Sequence, residues 1–182
     1  KQKTAYEIYQ CDWSSDVCSS DLIESPSDDR AALDAVLTEA NQICREVLGR
    51  PGEIREVNGS PILWWGPKQP EVLLLIHLDT VWPKGSFLPL WNVEGDRITA
   101  PGSFDMKVGF VQAVYALQGI PGSVSMLCTT DEEVGSKASR SLIEESARVA
   151  KAVLVEDHTP PVGVPTTVNV LFVHHLPDVA PA

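Results

Sequence analysis

The chain has 182 residues, enough for one ordinary domain or a large piece of one, and its 43% hydrophobic and 21% charged content describes a globular protein rather than a disordered one. Fourteen Lys and Arg against 25 Asp and Glu leave a net charge of -11, a field that repels phosphate backbones and anionic lipid and makes nucleic acid and membrane surfaces poor partners. No apolar run approaches the ~20 residues that cross a bilayer, and four cysteines are too sparse for a disulfide scaffold.

Residues 1–22 have no apolar period and no signal-peptide core. Their strings KQKTAYE and CDWSSDVCSSDL resemble the in-frame translation of an indexed sequencing-library adapter, so the segment is read as a non-native leader, with a disordered polar leader as the alternative. Patterned sequence begins at Ile23. With Cys11 and Cys18 set aside, Cys44 and Cys128 remain, both on apolar patterns, which favours a reduced, cytoplasmic chain.

In chain order, Ser25-Pro26-Ser27-Asp28-Asp29 supplies a helix cap, and Leu33, Val36, Leu37, Ala40, Ile43, Cys44, Val47 and Leu48 follow at helical spacing up to Gly49. Residues 54–58 and 62–65 are short strands split by the turn Asn58-Gly59-Ser60-Pro61. Residues 72–76 are continuously apolar, as in a strand covered on both faces, and end at His77. A hairpin is expected over 91–93 and 97–99, a helix over 106–117, a buried strand over 124–128, a helix over 136–149 and a third buried strand over 152–155. This alternation predicts an α/β fold, a mainly parallel sheet with crossover helices. After Thr159 the sequence becomes Pro-rich and aperiodic, so a patterned unit is placed at 23–157 and an irregular tail, which a shift of reading frame would explain, at 158–182.

The chemistry-bearing residues converge on that map. His77 and Asp79 follow one buried strand, Asp131, Glu132 and Glu133 the next, and Glu156 with Asp157 the third, while Asp105 precedes the connecting helix. The three groups that follow strands fall at the carboxyl ends of parallel strands, where open α/β sheets bind ligands, and Asp105 joins them from its loop. One imidazole and several carboxylates in one crevice repel unless a cation neutralises them, and nitrogen and oxygen donors without thiolate suit zinc, with cobalt or manganese as alternatives. Singly, each cluster has a plainer explanation, such as helix-end charges for Asp105 and for Asp131 to Glu133. Jointly, four accidents on one sheet edge are a poor explanation.

The strings His77-Leu78-Asp79-Thr80-Val81, Pro101-Gly102-Ser103-Phe104-Asp105-Met106-Lys107 and Thr130-Asp131-Glu132-Glu133-Val134-Gly135-Ser136 resemble the three ordered signatures of the cocatalytic zinc peptidase family that includes glutamate carboxypeptidase, aminoacylase, acetylornithine deacetylase and succinyl-diaminopimelate desuccinylase. The glutamate carboxypeptidase branch fits best.

The resemblance implies two zinc ions bridged by Asp105. His77 and the acid ending the third strand complete one, Glu133 binds the other, Asp79 orients His77, and Glu132 is the general base of amide hydrolysis. The third-strand acid is Glu156 by the local pattern and Asp157 by an ungapped comparison with the carboxypeptidase branch, and both stay open. The resemblance also implies a further zinc-binding histidine and a small dimerising domain beyond these residues, so His174 and His175 come too early to be that ligand. The expectation is therefore the catalytic fragment of a zinc hydrolase that releases a C-terminal amino acid, glutamate in the best-fitting branch, from an acyl-amino acid or peptide, and is inactive as it stands. Two other readings compete: a noncatalytic binding or regulatory relative, and a nonfunctional product of damaged DNA. Trp64, Trp65 and Trp82 are expected to pack, Lys107 to be a solvated first-turn charge, and Gly102 and Gly135 to serve either tight passages beside the metal or ordinary loops.

Overall fold

The computed structural model describes residues 23–95, 97–120, 122–156 and 171–174. The leader at 1–22, Asp157, His175 and most of the tail lie outside those residues.

The elements in chain order are α1 (Arg30–Leu48), β1 (Glu53–Val57), β2 (Ser60–Trp65), β3 (Val72–His77), β4 (Asn92–Glu94), β5 (Arg97–Thr99), α2 (Val108–Ala116), β6 (Val124–Thr129), α3 (Arg140–Val149), β7 (Ala152–Glu156) and β8 (Leu171–His174). Helix α1 starts where the sequence puts its cap: the Asp29 carboxylate accepts from the Ala32 N–H, and Gly49 closes the helix at φ 76°. The β1–β2 hairpin turns through Asn58 (φ 49°) and Gly59 (φ 89°), the left-handed pair that a two-residue turn requires.

Six strands form one sheet in the order β1-β2-β6-β3-β7-β8, with β4 and β5 as a separate ribbon. The central strand β3 runs parallel to β6 and β7, whereas the pairings β1–β2, β2–β6 and β7–β8 are antiparallel. The parallel centre is thus as predicted. One face of the sheet packs Ile76, Met126 and Cys128 against α1 (Val36, Leu37, Cys44) and α2 (Phe110, Val111, Val114). The other packs Leu73, Leu127 and Val153 against Leu142, Ile143 and Ala147 of α3. Helices on both faces explain the apolar run of β3, because neither face is left to water.

Three elements depart from expectation. Helix α2 begins at Val108 because Asp105 (φ -124°, ψ 96°) and Met106 (φ -136°, ψ 30°) lie outside helical geometry, in an irregular turn whose Asp105–Met106 peptide is cis. Helix α3 begins at Arg140 because the preceding backbone is folded back by Ser136 at φ 50° and by the Asp131 carboxylate, which accepts from the N–H groups of Ala138 and Ser139. Inside the expected irregular tail, Leu171–His174 pairs with β7, supplying hydrogen bonds to an otherwise open strand edge.

Candidate metal centre

Parallel pairing brings the carboxyl ends of β6, β3 and β7 to one rim: His77 stands in register with Thr129, and β7 ends at Glu156 one strand away. The His77 imidazole is 2% exposed. Its Nδ1 lies 3.2 Å from the Asp79 carbonyl oxygen and 3.5 Å from Asp79 Oδ1, and its Nε2 lies 3.0 Å from Asp105 Oδ1. Donor atoms of His77, Asp105 and Glu133 all fall within 4.8 Å of one another.

Asp105 reaches the rim through a loop that only glycine can start. Gly102 has φ 74°, and a Cβ there would stand 2.7 Å from Thr80 Cγ2. Two residues past Asp105, Lys107 is fully buried rather than solvated, its ammonium donating to the carbonyls of Ile23 and, at 3.0 Å, Pro101. Those carbonyls replace the water that a buried ammonium would otherwise lose, an arrangement that depends on distant backbone and leaves no local sequence signal.

The Asp79 carboxylate has no exposure. Its Oδ1 accepts from the Glu132 N–H at 3.3 Å, and its Oδ2 accepts from the Glu133 N–H at 3.1 Å and the Ser27 hydroxyl at 2.7 Å. Ser27 had been visible in sequence only as part of a helix cap. Glu132 and Glu133 are therefore held by their backbones on the carboxylate that faces the histidine. Asp131 is not part of the cluster. Its Oδ2 accepts from Ala138 N–H at 2.7 Å and Ser139 N–H at 3.1 Å, which makes it a turn cap. Glu156 ends β7 on the same rim by its backbone, so the choice between it and Asp157 is not made by the described residues.

Among the other residues singled out, Trp64 and Trp65 are buried in the sheet, while Trp82 is half exposed and meets Phe87 edge-on at 5.5 Å. Gly135, at φ 88°, serves a turn and no close passage, since nothing stands where its Cβ would be.

The charges at the rim act on one another. Burial alone would push the His77 pKa down, but the Asp105 and Asp79 carboxylates outweigh it and carry it up to about 10. The Glu133 pKa is raised by burial, and further by Asp105, Asp79 and Glu132, with His77 opposing. One imidazole nitrogen and two carboxylates, unaccompanied by thiolate, are a donor set that fits zinc. A cleft of about 820 Å³ lined by Asp29, Thr80, Lys84, Glu133 and Val134 opens beside them. A second cavity, about 540 Å³, lies by Arg50, Trp65 and Val124 at the amino end of β6, away from the acidic rim.

A mixed sheet with a parallel centre, and an imidazole and carboxylates gathered at the carboxyl edge of that centre, defines an α/β domain with a candidate metal centre. The chain belongs to peptidase family M20/M25/M40, whose family model matches residues 73–179. It is 38% identical over 91 residues to carboxypeptidase G2 of Pseudomonas sp. (strain RS-16), an alignment covering 46% of this chain and 22% of that protein. Its fold is similar to human carnosine dipeptidase 1 (TM-score 0.66, 15% identity, 85% of this chain and 40% of the other). It is also similar to the metallo-carboxypeptidase Sso-CP2 of Sulfolobus solfataricus (TM-score 0.60, 18% identity, 79% and 37%). The chain thus spans less than half the length of these relatives. Among the described residues no helix is long and apolar enough to cross a membrane.

Proposed function

We propose that this chain carries the N-terminal part of the catalytic domain of a zinc-dependent amidohydrolase that releases a C-terminal amino acid from an acyl-amino acid or peptide. The observation that carries the reading is the meeting of His77, Asp105 and Glu133 donor atoms within 4.8 Å. That spacing suits His77, Asp105 and Glu133 as residues that would hold a metal ion. The two-ion reading, with cobalt or manganese as substitutes for zinc, draws on the motif resemblance. So does the assignment of Glu156 or Asp157 as the third-strand ligand.

Bound there, zinc supplies Lewis-acid polarisation of the scissile carbonyl and acidifies water. The residues of this chain divide the remaining work. Asp79 holds the His77 ring through Nδ1, and Nε2, which faces Asp105, would be the atom that holds the ion. Glu132 takes a proton from the attacking water and returns it to the departing amine. The cleft beside Glu133 receives the substrate. Release of glutamate, dimerisation and a further zinc-binding histidine all rest on the similarity to the glutamate carboxypeptidase branch.

The test is hydrolysis of N-benzoyl-glutamate, with N-benzoyl-lysine as the comparison, by the uninterrupted full-length protein loaded with zinc. Glutamate release that is abolished by Glu132→Gln and by chelation is the expected result. Hydrolysis unaffected by either change would overturn the reading.

A further inference from the structure

We infer that residues 23–27 form a strap that sets the geometry of the metal centre, and that Ser27 is a positioning residue acting through Asp79 on His77; this rests on the metal-site reading above. The strap lies along the three residues that follow His77. The Ser25 hydroxyl donates to the Leu78 carbonyl at 2.7 Å, the Thr80 N–H donates to the Ser25 carbonyl at 2.8 Å, and Pro26 bridges Thr80 in parallel. At its start, the Ile23 carbonyl accepts from the Lys107 ammonium, two residues past Asp105. One segment is therefore fastened to both arms of the site, the His77–Asp79 arm and the Asp105 loop.

Ser27 is where the strap touches the chemistry. Of the donors to the Asp79 carboxylate, two are backbone N–H groups and one is the Ser27 hydroxyl, at 2.7 Å the shortest of the three. A buried carboxylate with these three donors is fixed about its own axis, which keeps Oδ1 3.5 Å from His77 Nδ1, beside the Asp79 carbonyl oxygen at 3.2 Å. The imidazole proton then stays on Nδ1, and the Nε2 lone pair is left for the ion. Without the hydroxyl, Oδ2 keeps, among the described residues, just the Glu133 N–H, and the carboxylate gains freedom to turn away from the ring.

The test compares Ser27→Thr with Ser27→Val in the 182-residue chain, a pair of near-equal shape that differs in the hydroxyl, with Ser27→Ala as a smaller second variant. In the metal-free protein, the Val and Ala variants shift the backbone amide proton resonances of Glu132 and Glu133 upfield, and the Thr variant leaves them near wild type. In zinc titrations, the Val and Ala variants bind roughly 10- to 100-fold more weakly than wild type, the range for loss of an outer partner of a ligand, and Thr restores binding. Unmoved amides, or a Val variant that binds zinc as tightly as a zinc-binding wild type, would overturn the role of Ser27. A wild type that takes up no zinc would instead overturn the metal-site reading and the inference with it.

Discussion

Nε2 of His77 and Oδ1 of Asp105 stand 3.0 Å apart although 28 positions separate them in the chain. The first ends the central strand of the sheet and the second sits in the loop before α2, so their meeting is a product of the parallel crossover rather than of local sequence. Asp105→Asn keeps the shape of the loop and removes the charge, at a side chain that is 40% exposed. Divalent metal binding should fall by more than the roughly 100-fold of an outer-partner loss, with little change in metal-free stability. Parallel zinc titration and urea unfolding of the two proteins check both halves of this expectation.

The same pair sets a pH dependence. In the metal-free protein the His77 pKa is carried up to about 10, against an ordinary value of 6.5. A raised imidazole stabilises the fold in its protonated form: that contribution is complete below about 6.5 and is lost as pH rises through about 10. Zinc competes with this proton, so uptake releases it and apparent affinity rises from pH 6 toward pH 9. Calorimetry in buffers of different ionisation enthalpy measures the release directly. Proton release absent at pH 7 would contradict the assignment of His77 as a ligand.

Asp131 and Glu133, two residues apart, should separate cleanly. Asp131→Ala leaves the N–H groups of Ala138 and Ser139 without their acceptor and should cost about 1–3 kcal/mol of stability while preserving metal affinity. Glu133→Gln should do the reverse. Denaturant midpoints and zinc affinities of the two variants give the comparison.

Gly102→Ala places a side chain in left-handed backbone and 2.7 Å from Thr80 Cγ2. The backbone conformation alone costs about 1–2 kcal/mol, and relief of the contact displaces the loop that carries Asp105. Lower stability together with weaker zinc binding is expected, whereas Gly135→Ala, with open space around it, should lose stability alone. Thermal melts with and without zinc distinguish them.

Burial pushes the Cys44 thiol up to about 12 from an ordinary value of 9.0. The folded protein therefore favours the protonated thiol, a contribution present below about 9 and lost as pH rises toward 12. Peptide mapping after maleimide labelling at pH 7.5 should find Cys44 unmodified in the native protein and modified in 6 M urea.

Much of the fold was legible because its signals are local. The period of Leu33 to Leu48 and its Asp29 and Gly49 ends specify α1, and the unbroken apolar run of β3 announces a strand covered on both faces. His77, Asp79, Glu132 and Glu133 were legible because they follow such strands, and Asp105 because it precedes the connecting helix. What escaped depends on distant partners. The late start of α3 reflects the Asp131 cap and Ser136, the burial of Lys107 needs the Ile23 and Pro101 carbonyls, and the contact of Ser27 with Asp79 spans 52 positions. A run of three acids cannot reveal which one turns back to cap its own loop.

The most direct measurement is equilibrium dialysis of the 182-residue chain against zinc, with the bound metal quantified, for wild type and for His77→Ala, Asp105→Asn and Glu133→Gln. The expected result is bound zinc in the wild type that each substitution removes or sharply weakens. Absence of bound zinc, or retention of it in all three variants, would contradict a metal centre built from these side chains.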